Sequence, residues 1–180
     1  NKNILYGMDN KFASRKEDED YALMEDFNAY LNLQDLGRCM EKHTTDASGY
    51  TTDGRFVNIE LKRRNQTLTS DGRISGLTTE SKPYTADTMY IEAHKVGDML
   101  LDYVCEDKIP MYINFLNDGY VVIFNLSRLS RRPTKVGRRI YSKLYQGFEL
   151  AKREELSMDD AWIYKKENNG YKMIRRGDAQ

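Results

Sequence analysis

A mixed α/β (α+β) domain, a β-sheet flanked by helices, is the architecture the sequence predicts, and three observations predict it. Apolar residues recur at three- and four-residue steps in two stretches, one ending at Leu31 and one running from Met89 to Val104. Other runs alternate apolar with polar residues, and the turn signals Asp53-Gly54 and Asn117-Asp118-Gly119 join them into hairpins. The composition, 39% hydrophobic and 31% charged over 180 residues, suits one folded domain with a core of its own.

The first helix is expected from about Glu17 to Leu31, with Leu23, Met24, Phe27, Tyr30 and Leu31 as its apolar stripe. Asp20 falls near the middle of that stripe. It is therefore either a carboxylate with a task or an acid of the solvated first turn, where the helix dipole favours negative charge. Gly37 closes the connection, and Arg38 to Thr52 reads as extended chain rich in β-branched threonine. After the turn at Asp53-Gly54, Val57, Ile59 and Leu61 face one way, and Asn58, Glu60 and Lys62 the other. Counting back from the turn brings Asp46 opposite Glu60 or one step from it.

Arg63-Arg64 opens a polar, glycine-containing stretch to Pro83, too long for a tight connection and expected to be an excursion or a mobile loop over the hairpin. A second helix is expected over Met89–Val104, stopped by Pro110, followed by strands Met111–Phe115 and Tyr120–Leu126. Tyr145 to Leu156 reads as helical from Phe148, and a last hairpin passes through Trp162-Ile163-Tyr164, Asn168-Asn169-Gly170 and Tyr171 to Arg176. The chain is taken as a single domain, 1–180, with a core at about 17–126 and an extension over 127–180.

Charge is balanced at 28 basic and 28 acidic side chains, so the total announces no nucleic-acid partner. Its distribution is less even: Arg128, Arg131, Arg132, Lys135, Arg138, Arg139 and Lys143 follow one another with no acid between them. Such a run suits phosphate contacts that set affinity without reading sequence, and equally a strand edge guarded by charge. Cys39 and Cys105 have no CxxC or Cys/His spacing around them and read as ordinary reduced thiols. No apolar run approaches a bilayer span and the first residues hold no apolar leader, so no membrane partner and a cytoplasmic location are expected.

Glu60-Leu61-Lys62 carries the chemistry. An acid two residues before a lysine also occurs at Asp9, Glu80 and Glu106, so spacing alone decides nothing. Only the Glu60 triplet lies on an alternating strand across a hairpin from a second carboxylate, Asp46. Two carboxylates on adjacent strands suit one or two Mg²⁺ ions, with the Leu61 backbone carbonyl as a further ligand and Asp20 completing an outer set. A metal held there serves hydrolysis of a phosphodiester, with Lys62 orienting the attacking water or steadying the developing charge. The competing expectation is a surface hairpin whose Glu60 and Lys62 are a solvated polar face.

This arrangement resembles the PD-(D/E)xK nuclease superfamily. The likeness lies in an opening helix, Asp46, a hairpin, Glu60-Leu61-Lys62, a further helix and the strand at Met111, and it covers roughly residues 17–126. Asp46 follows Thr45 where the superfamily's pattern has proline, and the opening-helix acid is either Asp20 or Glu17. The resemblance implies a restriction-endonuclease-like core of order αβββαβ, Asp46 and Glu60 as metal ligands with Mg²⁺ (or Mn²⁺), and Lys62 as the catalytic lysine. DNA is then the expected partner, with Arg63, Arg64, Lys95 and the basic run contacting phosphates. The alternative is the same fold kept as a catalytically inactive DNA- or protein-binding module. A homodimer and a separate partner protein stay open.

Overall fold

The strand Phe56–Arg64 positions the residues near the hairpin: Val57, Ile59 and Leu61 on one face join a hydrophobic cluster, and the other face carries Asn58, Glu60 and Lys62. The computed structural model describes residues 2–39, 45–142 and 147–177, with side chains over 15–39, 45–137 and 152–177. In chain order the elements are α1 (Lys2–Leu31), β1 (Gln34–Arg38), β2 (Ala47–Tyr50), β3 (Phe56–Arg64), β4 (Thr67–Leu68), β5 (Ile74–Leu77), β6 (Pro83–Ala86) and β7 (Thr88–Glu92). They continue with α2 (Ala93–Glu106), β8 (Ile109–Leu116), β9 (Tyr120–Asn125), β10 (Thr134–Ser142), β11 (Gly147–Ser157), a single 3-10 turn (Met158–Asp160), β12 (Trp162–Glu167) and β13 (Gly170–Arg175).

The main sheet has seven strands in the order β1-β2-β3-β8-β9-β12-β13. Only β3 and β8 run parallel, from Val57 opposite Ile109 to Arg64 opposite Leu116, and α2 leads into β8. A mixed sheet with two helices is thus the fold class, as the sequence predicts. Val57, Ile59 and Leu61 of β3 join Ile113, Phe115, Val121 and Ile123 beneath α1, which contributes Met24 and Phe27. On the opposite face Tyr112, Leu116, Val122 and Phe124 pack with Val96 and Met99 of α2 and with Met89 and Ile91 of β7. The alternation read from the sequence is therefore real, but both faces of the sheet are covered.

α1 begins far earlier than Glu17, since the polar segment before that residue is helical too. Its end has a local cause. Asn32 adopts φ +55°, the left-handed region that asparagine tolerates, while the Asn28 amide spans the break by accepting from Leu33 N at 3.0 Å and donating to Leu33 O at 3.1 Å. Gly37 does not close a connection: it lies inside β1, opposite Ser48 of β2. Of the extended stretch expected over Arg38–Thr52, residues 40–44 lie outside the described residues.

The hairpin turn is as expected, with Gly54 at φ +85° and Thr51 N donating to Arg55 O at 2.8 Å. Arg55 N in turn donates to the Thr51 hydroxyl at 3.0 Å. The same bonds close a second turn, Thr69-Ser70-Asp71-Gly72-Arg73, where Arg73 N donates to Thr69 Oγ1 at 2.9 Å. A third, Thr78 to Lys82, repeats them at 3.1 Å with left-handed Ser81 in the place of glycine. These turns fold the expected mobile loop into a small antiparallel sheet, β4-β5-β6. The signal was in the sequence, since Thr-x-Asp-Gly-Arg occurs at 51–55 and again at 69–73.

Two helical expectations become strands. Met89–Glu92 is β7 rather than the first turn of α2, and Met89 and Ile91 face the core at two-residue spacing. Residues from Phe148 to Leu156 form β11, although their Glu, Leu, Ala, Lys and Arg content favours a helix. β10 pairs with them along their length and β7 pairs with Arg153 onward, and tertiary pairing overrides propensity. Pro110 stops nothing: α2 ends at left-handed Asp107, φ +54°, whose N–H donates to Tyr103 O at 3.0 Å, and Pro110 lies buried in β8. Residues beyond 126 are not an appendage, because β12 and β13 complete the main sheet and β11 covers β7.

Candidate metal and phosphate site

β2 and β3 pair with Ala47 opposite Ile59 and Ser48 opposite Asn58, and Asp46 is the residue just before this ladder, close enough to Glu60 for its charge to act on it. The chain bends at Asp46, which frees its side chain from the ladder, and Asp46 Oδ2 accepts the Leu61 N–H at 2.8 Å. That bond replaces the main-chain partner β3 loses where β2 stops. Because the N–H and C=O of one strand residue point to the same side, the Leu61 carbonyl is directed to the Asp46 side as well. One strand end thus gathers two carboxylates and a carbonyl.

Glu60 is not on a solvated face, which disposes of the surface-hairpin expectation. Its side chain is 14% exposed, and Glu60 Oε2 accepts from Lys95 Nζ of α2 at 3.1 Å. Asn58, one step along the same face, is buried and donates to Asp102 Oδ2 at 3.1 Å. Burial and then the neighbouring Asp46 carboxylate push Glu60 from 4.5 up to about 7, against the pull of the Lys95 ammonium. Asp46 is raised too, by burial first, with the Leu61 N–H opposing. Burial and then the charges of Arg64 and Lys16 lower Lys62. Burial also acts to lower Lys95, but the charge and hydrogen bond of Glu60 outweigh it and Lys95 is raised. Perturbed acids and bases that neighbour one another cluster at functional sites.

Glu60, Lys62 and Lys95 line a cavity of about 50 Å³ together with Arg64, Tyr90, Ile91, Glu92, Tyr112 and Arg153. Lys95, expected to contact phosphate, does reach the site, but as the partner of Glu60. His94 beside it is exposed, 3.6 Å from Glu92.

Other expected residues have different partners. Asp20, on α1, pairs with the Arg63 guanidinium, and Glu19 takes the same group at 2.9 Å. Asp20 still acts on the site through its charge, which raises Asp46, and Glu17 does the same. Arg63 is therefore committed to holding α1 and is not a free phosphate contact. Arg64 is committed too, to Asn114 Oδ1 at 3.1 Å, the Tyr90 carbonyl and the Tyr112 hydroxyl. In the basic run, Arg131 lies 3.6 Å from Asp159, while Arg128, Arg132 and Lys135 are exposed. Arg138 and Arg139 belong to β10 with side chains outside the described ones, and Lys143 lies outside the described residues altogether. Arg153 and Tyr90 are the site residues sequence reasoning missed. Both come from strands read as helix, and only the two-residue period of Met89 and Ile91 could have placed Tyr90 on the opposite face.

The donor chemistry fits Mg²⁺, a hard cation that keeps several waters and takes one or two carboxylates. Two half-buried carboxylates, one of which raises the other, are what a divalent ion relieves. Among the described residues no group of three or more His, Cys, Asp or Glu side chains forms a metal cage, and a site of this kind needs none. No helix of the described residues is long and apolar enough to cross a membrane. No family model matches the chain, and no curated protein or solved structure matches it either.

Proposed function

We propose that this chain is a Mg²⁺-dependent nuclease that hydrolyses phosphodiester bonds in DNA, built on a restriction-endonuclease-like core. One observation carries the reading: the Asp46 carboxylate accepts the Leu61 N–H at 2.8 Å and lies close enough to Glu60 to raise it, with Lys62 two residues on, partly buried, in the cavity that Glu60 lines. The order of α1, β1 to β3, α2 and β8, with β8 parallel to β3, supports the αβββαβ core, the four short strands β4–β7 being inserted before α2. Asp46, Glu60 and the Leu61 carbonyl hold the metal in this reading, and Asp20 acts from outside it, through Arg63 and its own charge. A bound Mg²⁺ supplies a Lewis acid and an acidified water. Lys62, its proton loosened by burial, orients the attacking water and steadies charge developing on the phosphoryl oxygens.

The test is cleavage of plasmid and oligonucleotide DNA in Mg²⁺ or Mn²⁺ by the wild type, Glu60→Gln and Lys62→Met. Each substitution is expected to lower the rate at least about 100-fold, the scale of losing a transition-state electrostatic contact. Metal-dependent cutting that survives both substitutions refutes the assignment. A second reading, a non-catalytic DNA- or protein-binding module on the same fold, draws support from the Lys95–Glu60 ion pair, since an ammonium already neutralises that carboxylate. Salt-sensitive DNA binding without cutting in any divalent metal selects it.

A further inference from the structure

Arg153 is a cation for which the proposed chemistry has no task. It lies on β11 opposite Glu92 of β7, and its guanidinium carbon is 6.0 Å from the centroid of the Tyr90 ring. It lines the same small cavity as Glu60 and Lys62, and so joins that cavity from the three-stranded sheet β10-β11-β7 rather than from the main one. Four cations, Lys62, Arg64, Lys95 and Arg153, share the cavity with two acids, Glu60 and Glu92. Two of the cations are spoken for. Lys95 holds Glu60, and Arg64 holds the Tyr90 carbonyl, Asn114 and the Tyr112 hydroxyl. Among the described residues Lys62 and Arg153 have no ion pair, and Glu92 lies 3.6 Å from His94.

A guanidinium and an ammonium left over in one polar cavity create a local positive potential, and a tetrahedral oxyanion is the ligand that relieves it. The cavity, about 50 Å³, is small and lined mainly by charged side chains, which suits a phosphate group. Tyr90 beneath the guanidinium restricts its plane, which favours a forked contact to two phosphate oxygens.

We propose that Arg153 binds a backbone phosphate of a nucleic-acid strand beside Glu60 and Lys62, making β7 and β11 the second wall of the substrate channel. Its position relative to the bond being cut rests on the nuclease reading, but the phosphate site itself does not. Arg153 is a substrate-positioning residue, and its removal acts on binding more than on the chemical step.

A short fluorescein-labelled DNA oligonucleotide, single-stranded or duplex, is titrated in Ca²⁺ over a salt series with wild type, Arg153→Gln and Arg153→Lys, and cleavage in Mg²⁺ is measured on the same samples. Arg153→Gln is expected to weaken binding about 10-fold and to reduce the slope of log affinity against log salt by about one phosphate contact. KM rises with kcat nearly unchanged, Arg153→Lys recovers the slope but only part of the affinity, and the thermal midpoint stays put. Unchanged affinity and salt slope in a sample that still cuts DNA overturn this inference and leave the nuclease reading standing. Lost affinity with a flattened slope in a protein that cuts nothing upholds the phosphate site and removes the nuclease. Wild-type protein that does not bind either oligonucleotide sinks both. Loss of cooperative unfolding in Arg153→Gln is also adverse, because it makes the side chain structural; Arg153→Lys then reads the slope in folded protein.

Discussion

Glu60 makes the folded protein sensitive to pH, in a direction opposite to that of an ordinary surface carboxylate. Its folded value is raised from 4.5 to about 7, so between those values the native state holds a proton that the unfolded chain releases. The stability this group contributes is therefore fully present below about pH 4.5 and is lost as pH rises through about 7. Because the side chain is only 14% exposed, solvent screening removes little of the effect. At 1.36 kcal/mol for each unit, the portion lost between pH 5 and pH 8 comes to about 2 kcal/mol, or about 5–8 °C in the midpoint of a chain this long.

The assay is thermal or urea unfolding of wild type and Glu60→Gln in EDTA across that interval. Lys95 stays protonated over the whole window, and the variant removes the anionic partner that it gains as Glu60 ionises, so the informative quantity is the slope and not the absolute stability. Wild type is expected to lose about 2 kcal/mol more than the variant between pH 5 and pH 8. In the nuclease reading, saturating Mg²⁺ is expected to flatten the wild-type slope, since an ion that binds the ionised carboxylates pulls the equilibrium by mass action. Parallel slopes in EDTA refute the account of Glu60 as a buried carboxyl repelled by Asp46.

Two further outcomes follow from the packing. Phe27 is fully buried and meets Phe115, Tyr164 and Tyr171 edge-on, with centroids 4.9–6.3 Å away, so Phe27→Ala is expected to lose about 3–5 kcal/mol in urea unfolding and to release α1 from the sheet. Arg63→Gln, which unfastens Glu19 and Asp20 from β3 at a side chain more than a third exposed, is expected to lose no more than about 1 kcal/mol and to leave the salt dependence of DNA binding unchanged, measured by anisotropy.

The residues of the candidate site were legible in the sequence where local rules suffice. Asp53-Gly54 fixes the turn, the turn fixes the register, and the register brings Asp46 close to Glu60 without any knowledge of the rest of the chain. What local rules cannot reach is pairing between distant segments. Glu149 to Leu156 has the composition of a helix and becomes a strand only because β7 and β10 lie on either side of it. Arg153 was missed for that reason. Arg63 and Arg64 were misjudged for a related one: a basic pair after a metal-site strand suits phosphate, but the carboxylates of α1 and the carbonyl of β7 reach them first. Lys95 was named through the resemblance and not by spacing, and it reaches the cavity as the partner of Glu60.

The pairing of β11 with β7 also imposes an order in time. Arg153 meets Glu92, and Ile163 meets Val122, only after the last third of the chain exists, so a nascent polypeptide holding Asp46, Glu60 and Lys62 still lacks one wall of its cavity. β9 meanwhile offers an open edge until β12 arrives. Synthesis from the N-terminus thus delivers the carboxylates first and the second wall last, and a ribosome-bound chain halted after β9 is expected to be protease-sensitive and unable to retain DNA. The second wall of the cavity thus waits on β11, which follows the carboxylates by about ninety residues.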